Sequence, residues 1–257
     1  MLYTSNTFVP YNHPLKEADV VFLGVPFTST SISKPAMYGP TIVRDGLRLS
    51  EGVPNRKFCD LGDLEVVPGS FELTAERIRE TIKEIREANQ RAFPIFIGGD
   101  HSITLPIAET LQPKTIVQID AHSDTYKEYL GNKYGHGTWA YHASKTAKVI
   151  QIGVVSLNDE ERKFLAKSKD VQTFSFADFM KFRPKIERPV HLTIDVDVLD
   201  PSYVETGFPE GMMKLDELVQ LLEKIKCDSL DIVEIADTHL PSKTGFIAAQ
   251  IISKVLR

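Results

Sequence analysis

The sequence predicts an α/β fold: a single three-layer α/β/α domain over residues 1–257, built on a mostly parallel sheet. Short apolar runs rich in β-branched residues recur at 18–25, 93–97, 115–119, 148–153, 190–194 and 230–235. Each is bounded by turn or polar residues, the pattern of strands covered on both faces. Segments of helical periodicity lie between them, and such alternation implies parallel strands joined by crossover helices.

In chain order, the run 18–25 ends at Pro26, and 26–45 is dense in Pro, Gly, Ser and Thr, so it reads as a loop. A helix over 74–92 places Ile78, Ile82, Ile85 and Ala88 on one stripe, with Thr74 as a suitable cap. The next strand closes on Gly98-Gly99. Segment 199–213 again reads as a loop following a strand, where α/β proteins place ligand loops. Segment 214–226 carries Leu215, Leu218, Leu221, Leu222 and Ile225 at helical spacing, and 244–256 repeats the pattern with Ile247, Ala248, Ile251, Ile252 and Val255. No internal repeat or flexible linker divides the chain.

Composition narrows the function classes. With 42% hydrophobic and 25% charged residues the chain is an ordinary globular one, which excludes low-complexity and disordered classes. No apolar run approaches the roughly 20 residues of a membrane span. The stretch 1–14 has no basic region followed by an apolar one, so a secretory signal is not expected. Cys59 and Cys227 lack metal-ligand spacing, which suits a cytoplasmic location and excludes a thiolate zinc site. A net charge of −5 lacks the basic excess of a nucleic-acid binder.

Three polar clusters sit at the carboxyl ends of predicted strands: 98–104 (GGDHSIT), 120–124 (DAHSD) and 195–197 (DVD). Taken singly, each also reads as a capped turn or a solvated loop start. Together they place His101, Asp120, His122, Asp124, Asp195 and Asp197 on one crevice. Residues two apart on an extended chain share a side, which would pair Asp195 with Asp197 and align Asp120, His122 and Asp124. Four carboxylates and two imidazoles in one place repel unless a cation lies among them. Two divalent ions would neutralise the four carboxylates. An oxygen-rich set with imidazole and no thiolate favours Mn²⁺ over Zn²⁺, and two such ions can share a water and lower its pKa.

These clusters, with Gly24-Val-Pro-Phe27, Tyr38-Gly-Pro40, Asp60-Leu-Gly-Asp63, Tyr134-Gly-His-Gly137, Leu199-Asp-Pro201 and Val233-Glu234, resemble the ureohydrolase family in its order: arginases, agmatinases and formimidoylglutamases, most closely the agmatinase branch. The resemblance implies an arginase-like fold, and the six side chains above as ligands of two Mn²⁺ ions. It implies His136 as a proton-transfer and substrate-facing residue. Glu234 would hold the guanidinium group, for which a carboxylate is suited by its bidentate hydrogen bonding. It implies hydrolysis of a guanidino compound to urea and an amine, with Asp124 passing a proton to the leaving amine.

The family's arginases carry an Asn two positions beyond the last Asp of the second cluster, where it meets the substrate α-carboxylate. Tyr126 stands there, which favours agmatine or aminopropyl-agmatine over arginine. The resemblance also implies a small cationic substrate and a homo-oligomer, trimeric or hexameric, with no nucleic-acid or membrane partner. Two segments depart from the family: 205–213, where Phe208 replaces a Thr, and 236–239, where Ala-Asp-Thr-His replaces a Pro-containing stretch. A formimino or other guanidino hydrolase of the family, or a non-catalytic metal-binding relative, would share the ligands and differ in such loops. His191 reads as a core histidine.

Overall fold

The structure, a computed structural model, describes residues 4–5, 12–28, 34–50 and 55–257. Most of the segment 1–14 and part of the loop after Pro26 lie outside the described residues. Among the described residues nine strands form one sheet: β1 (Thr4–Ser5), β2 (Val20–Val25), β3 (Phe58–Leu64), β4 (Phe93–Gly98), β5 (Thr115–Ile119), β6 (Lys148–Ile152), β7 (Val171–Phe174), β8 (Val190–Asp195) and β9 (Ser229–Val233). Their order is β1-β3-β2-β4-β9-β8-β5-β6-β7, and only the pairing of β1 with β3 is antiparallel. The helices are α1 (Gly39–Leu49), α2 (Phe71–Ala88), α3 (Thr104–Leu111), α4 (Trp139–Ala143), α5 (Asp159–Leu165), α6 (Phe176–Phe182), α7 (Leu215–Lys224) and α8 (Lys243–Val255).

Alternation along each strand builds a core on each face, as period-2 side-chain direction requires. Val20 and Phe22 join Ile42, Leu218 and Ile247 under α1, α7 and α8. Val21 and Leu23 join Ile78, Ile82 and Trp139 under α2 and α4. The sheet is thus the middle of three layers, and its strands are apolar because both faces are covered.

Two expectations are corrected. The stretch 26–45 is not all loop, because α1 begins at Gly39 with Pro40 in its first turn. Proline suits that position, where its missing N–H is not needed. The helix expected over 74–92 begins earlier, at Phe71. Ser70 caps it by accepting from the N–H of Leu73, whereas Thr74 Oγ1 bonds the backbone of Val67. Arg44, buried on α1, pairs with Asp60 at 2.8 Å and with Asp63, tying that helix to β3.

Candidate metal and active site

Four adjacent strands, β4, β9, β8 and β5, deliver the sequence-predicted residues to one edge of the sheet. His101 follows β4, Asp120 to Asp124 follow β5, Asp195 ends β8, and Glu234 follows β9. The approach after β4 depends on Gly99, where a Cβ would lie 1.8 Å from the carbonyl oxygen of Phe27.

The side chains converge through tight turns rather than through a continued extended chain. Asp195 Oδ1 accepts the N–H of Asp197 at 2.8 Å, opening a short 3₁₀ turn over Val196–Val198. Asp120 Oδ1 accepts the N–H of His122 at 2.7 Å. Asp124 has a φ of 53°, a left-handed conformation uncommon for residues other than glycine. The expected pleat geometry fails because these backbones must turn to bond the carboxylates locally.

Two groups of ligand-type atoms result. His101, Asp120 and Asp195 form one, and Asp120, His122 and Asp197 form the other, so Asp120 belongs to both. His101 Nδ1 lies 3.1 Å from Asp120 Oδ2, 3.2 Å from Asp124 Oδ2 and 3.3 Å from Asp195 Oδ2. His122 Nδ1 lies 2.9 Å from Asp197 Oδ2 and 3.8 Å from Asp120 Oδ1.

Electrostatics show what such crowding costs. Burial, and then the charges of Asp197 and Asp120, push the Asp195 carboxyl well above its usual range. Burial and the charge of Asp120 raise Asp197 to about 6. Burial alone would lower the pKa of His122, but its hydrogen bond to Asp197 and the nearby carboxylates raise it to about 11. His101 Nδ1 is buried without a properly formed hydrogen bond although three carboxylate oxygens face it. One ring nitrogen can give at most one proton, so it cannot satisfy the three acceptors around it, an arrangement that suits a metal cation.

A row of polar side chains, buried except for the exposed Thr173, lies in cross-strand register one step below. Asp231, Thr193, Gln118, Gln151 and Thr173 are paired neighbours across β9, β8, β5, β6 and β7. Thr193 Oγ1 bonds His101 Nε2 at 2.8 Å, which turns Nδ1 toward the carboxylates. Gln118 Nε2 donates to Asp120 Oδ2 at 2.7 Å, and Gln151 Nε2 donates to the carbonyl of Ser123 at 2.6 Å. Outer hydrogen bonds of this kind orient metal ligands. His191 is a satisfied core histidine, bonded to Ser229 Oγ and Asp231 Oδ2, each at 2.8 Å.

Above the acidic floor opens a cavity of about 270 Å³, lined by Tyr126, Tyr129, His136, Phe208, Glu210 and Glu234 among others. His136 packs between the rings of Tyr129 and Phe208, at centroid distances of 5.4 and 6.1 Å. Glu234 also has a positive φ, 62°. Its Oε1 accepts the N–H of His101 at 2.9 Å, and its Oε2 is buried without a partner. Burial, and then the charge of Asp100, raise its pKa well above the usual range. His239 does not line this cavity.

Sequence reasoning missed several of these residues. Trp139 Nε1 donates to Asp124 Oδ2 at 2.7 Å, and Glu161 accepts from Ser123 Oγ at 2.5 Å. Thr193 was detectable as the polar residue midway between His191 and Asp195 on one strand face.

Crossover strands, a charged crevice at their carboxyl ends and two carboxylate–imidazole clusters of metal-ligand type define an α/β protein with its site at the strand ends. Residues 18–257 match the Arginase family. The chain is 36% identical to the N(1)-aminopropylagmatine ureohydrolase of Thermococcus kodakarensis, over 98% of this chain and 95% of that one. It is 34% identical to an agmatinase of Pyrococcus horikoshii, over 100% and 98% respectively. The solved structure of proclavaminate amidino hydrolase from Streptomyces clavuligerus superposes with a TM-score of 0.82 at 26% identity, covering 99% of this chain and 97% of that one. This chain belongs to the arginase family of hydrolytic enzymes. No described helix is long and apolar enough to cross a membrane.

Proposed function

We propose that the chain hydrolyses the guanidino group of agmatine or of an aminopropyl-extended agmatine, releasing urea and a primary amine. The observation that carries this reading is the half-used carboxylate of Glu234, whose buried Oε2 faces no donor beside an acidic metal-type floor. A guanidinium offers the two parallel N–H donors that such a carboxylate lacks. The arginase-family match and the two relatives named for agmatine-type substrates support the same chemistry.

His101, Asp120, His122, Asp124, Asp195 and Asp197 would hold two Mn²⁺ ions, with Asp120 shared between them. When bound, the ions would supply a hydroxide-like nucleophile at neutral pH. Glu234 binds the guanidinium and orients its central carbon over the floor. Asp124 holds the proton that passes to the leaving amine, with Trp139 fixing its Oδ2. His136, at the cavity wall, exchanges protons with solvent, a role open to an imidazole. Tyr126 stands where a substrate α-carboxylate would need a donor amide, which favours a substrate without that group. With this reading go a homo-oligomeric, cytoplasmic enzyme and a place in polyamine formation.

Phe208 supports a second substrate within the same chemistry. Its ring lies 5.7 Å from that of His122 and narrows the cavity beside His136, so another guanidino or formimino compound would meet a changed wall. Urea release from a panel of agmatine, aminopropyl-agmatine, arginine and other guanidines, with Mn²⁺ present, tests both. Turnover confined to the agmatine group supports the first reading, and turnover of another guanidine supports the second. No urea from any of them and no formamide from a formimino compound, with metal bound, would identify a non-catalytic relative.

A further inference from the structure

We propose that Glu205, Asp237 and His239 form a separate binding site for one divalent transition-metal ion, outside the cavity described above. One carboxylate oxygen from each acid and one ring nitrogen of His239 all lie within 4.8 Å of one another. None of the three lines the cavity. The site goes beyond the guanidino reading and does not depend on it.

Asp237 supplies the independent sign of a ligand. Its side chain is only 2% exposed, and its Oδ1 accepts from Ser242 Oγ at 2.6 Å. Oδ2 is buried with no hydrogen-bond partner. An unsatisfied buried carboxylate oxygen is costly, and a cation removes that cost. Among the described residues no lysine or arginine pairs with either carboxylate. Lys243, the nearest cation in sequence to Asp237, donates instead to the carbonyl of Ser202.

The backbone around the three ligands is already fixed. Ala236 N–H donates to the Glu205 carbonyl at 3.1 Å, and Glu205 N–H donates to Thr244 Oγ1 at 2.9 Å. Ser242, which touches Asp237, also caps α8 by accepting from the N–H of Gly245 at 3.0 Å. The ion would therefore clasp the 199–213 loop, the run after β9 and the start of α8. Two carboxylates and one imidazole suit Zn²⁺ or Mn²⁺, and exposure of Glu205 and His239 leaves room for water as further ligands. Glu234 begins the same run, so the clasp would steady the segment behind it.

The test is an anomalous difference map of crystals of the full chain soaked in Zn²⁺, with zinc content measured in solution after gel filtration. A peak among Glu205, Asp237 and His239 is expected in the wild type and none in E205Q or H239N. Both variants are at exposed positions and should fold. Each should lose about one equivalent of zinc. Asp195→Asn should deplete the main centre and leave this peak in place, so failure of either site is distinguishable from failure of the other. A water without anomalous signal at this position, or equal zinc content in wild type and both variants, overturns the proposal.

Discussion

The backbone N–H of His101 holds one oxygen of Glu234 at 2.9 Å, so a residue of the acidic floor orients the carboxylate proposed for the substrate. The second oxygen stays buried and unbonded. Glu234→Gln keeps an acceptor for that N–H but places an amide where a charged bidentate partner is needed. We expect metal content to remain at the wild-type level while kcat/KM falls by roughly 100-fold, as loss of a charge-assisted hydrogen bond implies. Metal analysis alongside steady-state urea release checks this. Loss of metal with the activity would mean that Glu234 serves the floor instead.

Asp120 belongs to both ligand groups, whereas Asp195 and Asp197 belong to one each. Asp120→Asn should therefore weaken binding of both ions, and Asp197→Asn chiefly the ion beside His122. Titration of the metal-free variants with Mn²⁺, followed by the electron paramagnetic resonance of free Mn²⁺, separates the two patterns. Indistinguishable binding by the two variants would contradict a shared Asp120.

Trp139 gives Asp124 its only indole donor, at 2.7 Å to the same Oδ2 that lies 3.2 Å from His101. Trp139→Phe preserves most of the ring volume and removes the donor. We expect kcat or metal affinity to fall about 10- to 100-fold, the usual cost of losing an outer hydrogen bond to a ligand. A circular-dichroism melt guards against unfolding, and unchanged kinetics would remove Trp139 from the positioning scheme.

Without metal, the floor should make stability depend on pH. The folded pKa of His122 is raised from 6.5 to about 11, so its contribution is complete below 6.5 and is lost as pH rises toward 11. Asp197, raised from 3.8 to about 6, has the same sign, its contribution disappearing as pH climbs through 6. The melting temperature of the chelator-treated chain should therefore fall between about pH 6 and about pH 9. The metal-loaded chain should show a flatter profile, because ions replace the protons that the ligands must release. A rise in melting temperature over that interval without metal would reverse the assigned signs.

The central strands were legible because apolar runs end abruptly in turn or polar residues, and the crevice follows from where those ends lie. β3 was hidden by Asp60 and Asp63, whose charges are met by Arg44 from α1 and, for Asp60, by the N–H of Gly62. α1 was hidden by its glycines. Gly46 is there because a Cβ would lie 2.1 Å from the carbonyl oxygen of Gly245 on α8, a tertiary contact that no local pattern records. The six ligand-type residues were legible as residue types at strand ends, but the turns that aim them were not. The row from Asp231 to Thr173 looked like isolated polar residues in apolar runs, because its meaning lies in cross-strand register.

Asp124 and Glu234 both occupy left-handed backbone conformations, at φ 53° and 62°. Glycine would relieve that strain at either position, of order 1–3 kcal/mol, while deleting the carboxylate. A programme of thermostabilisation that ranks variants only by heat resistance will thus be drawn to these two positions and will discard the carboxylates proposed to act there. Activity has to be scored in parallel wherever durability and turnover pull in opposite directions.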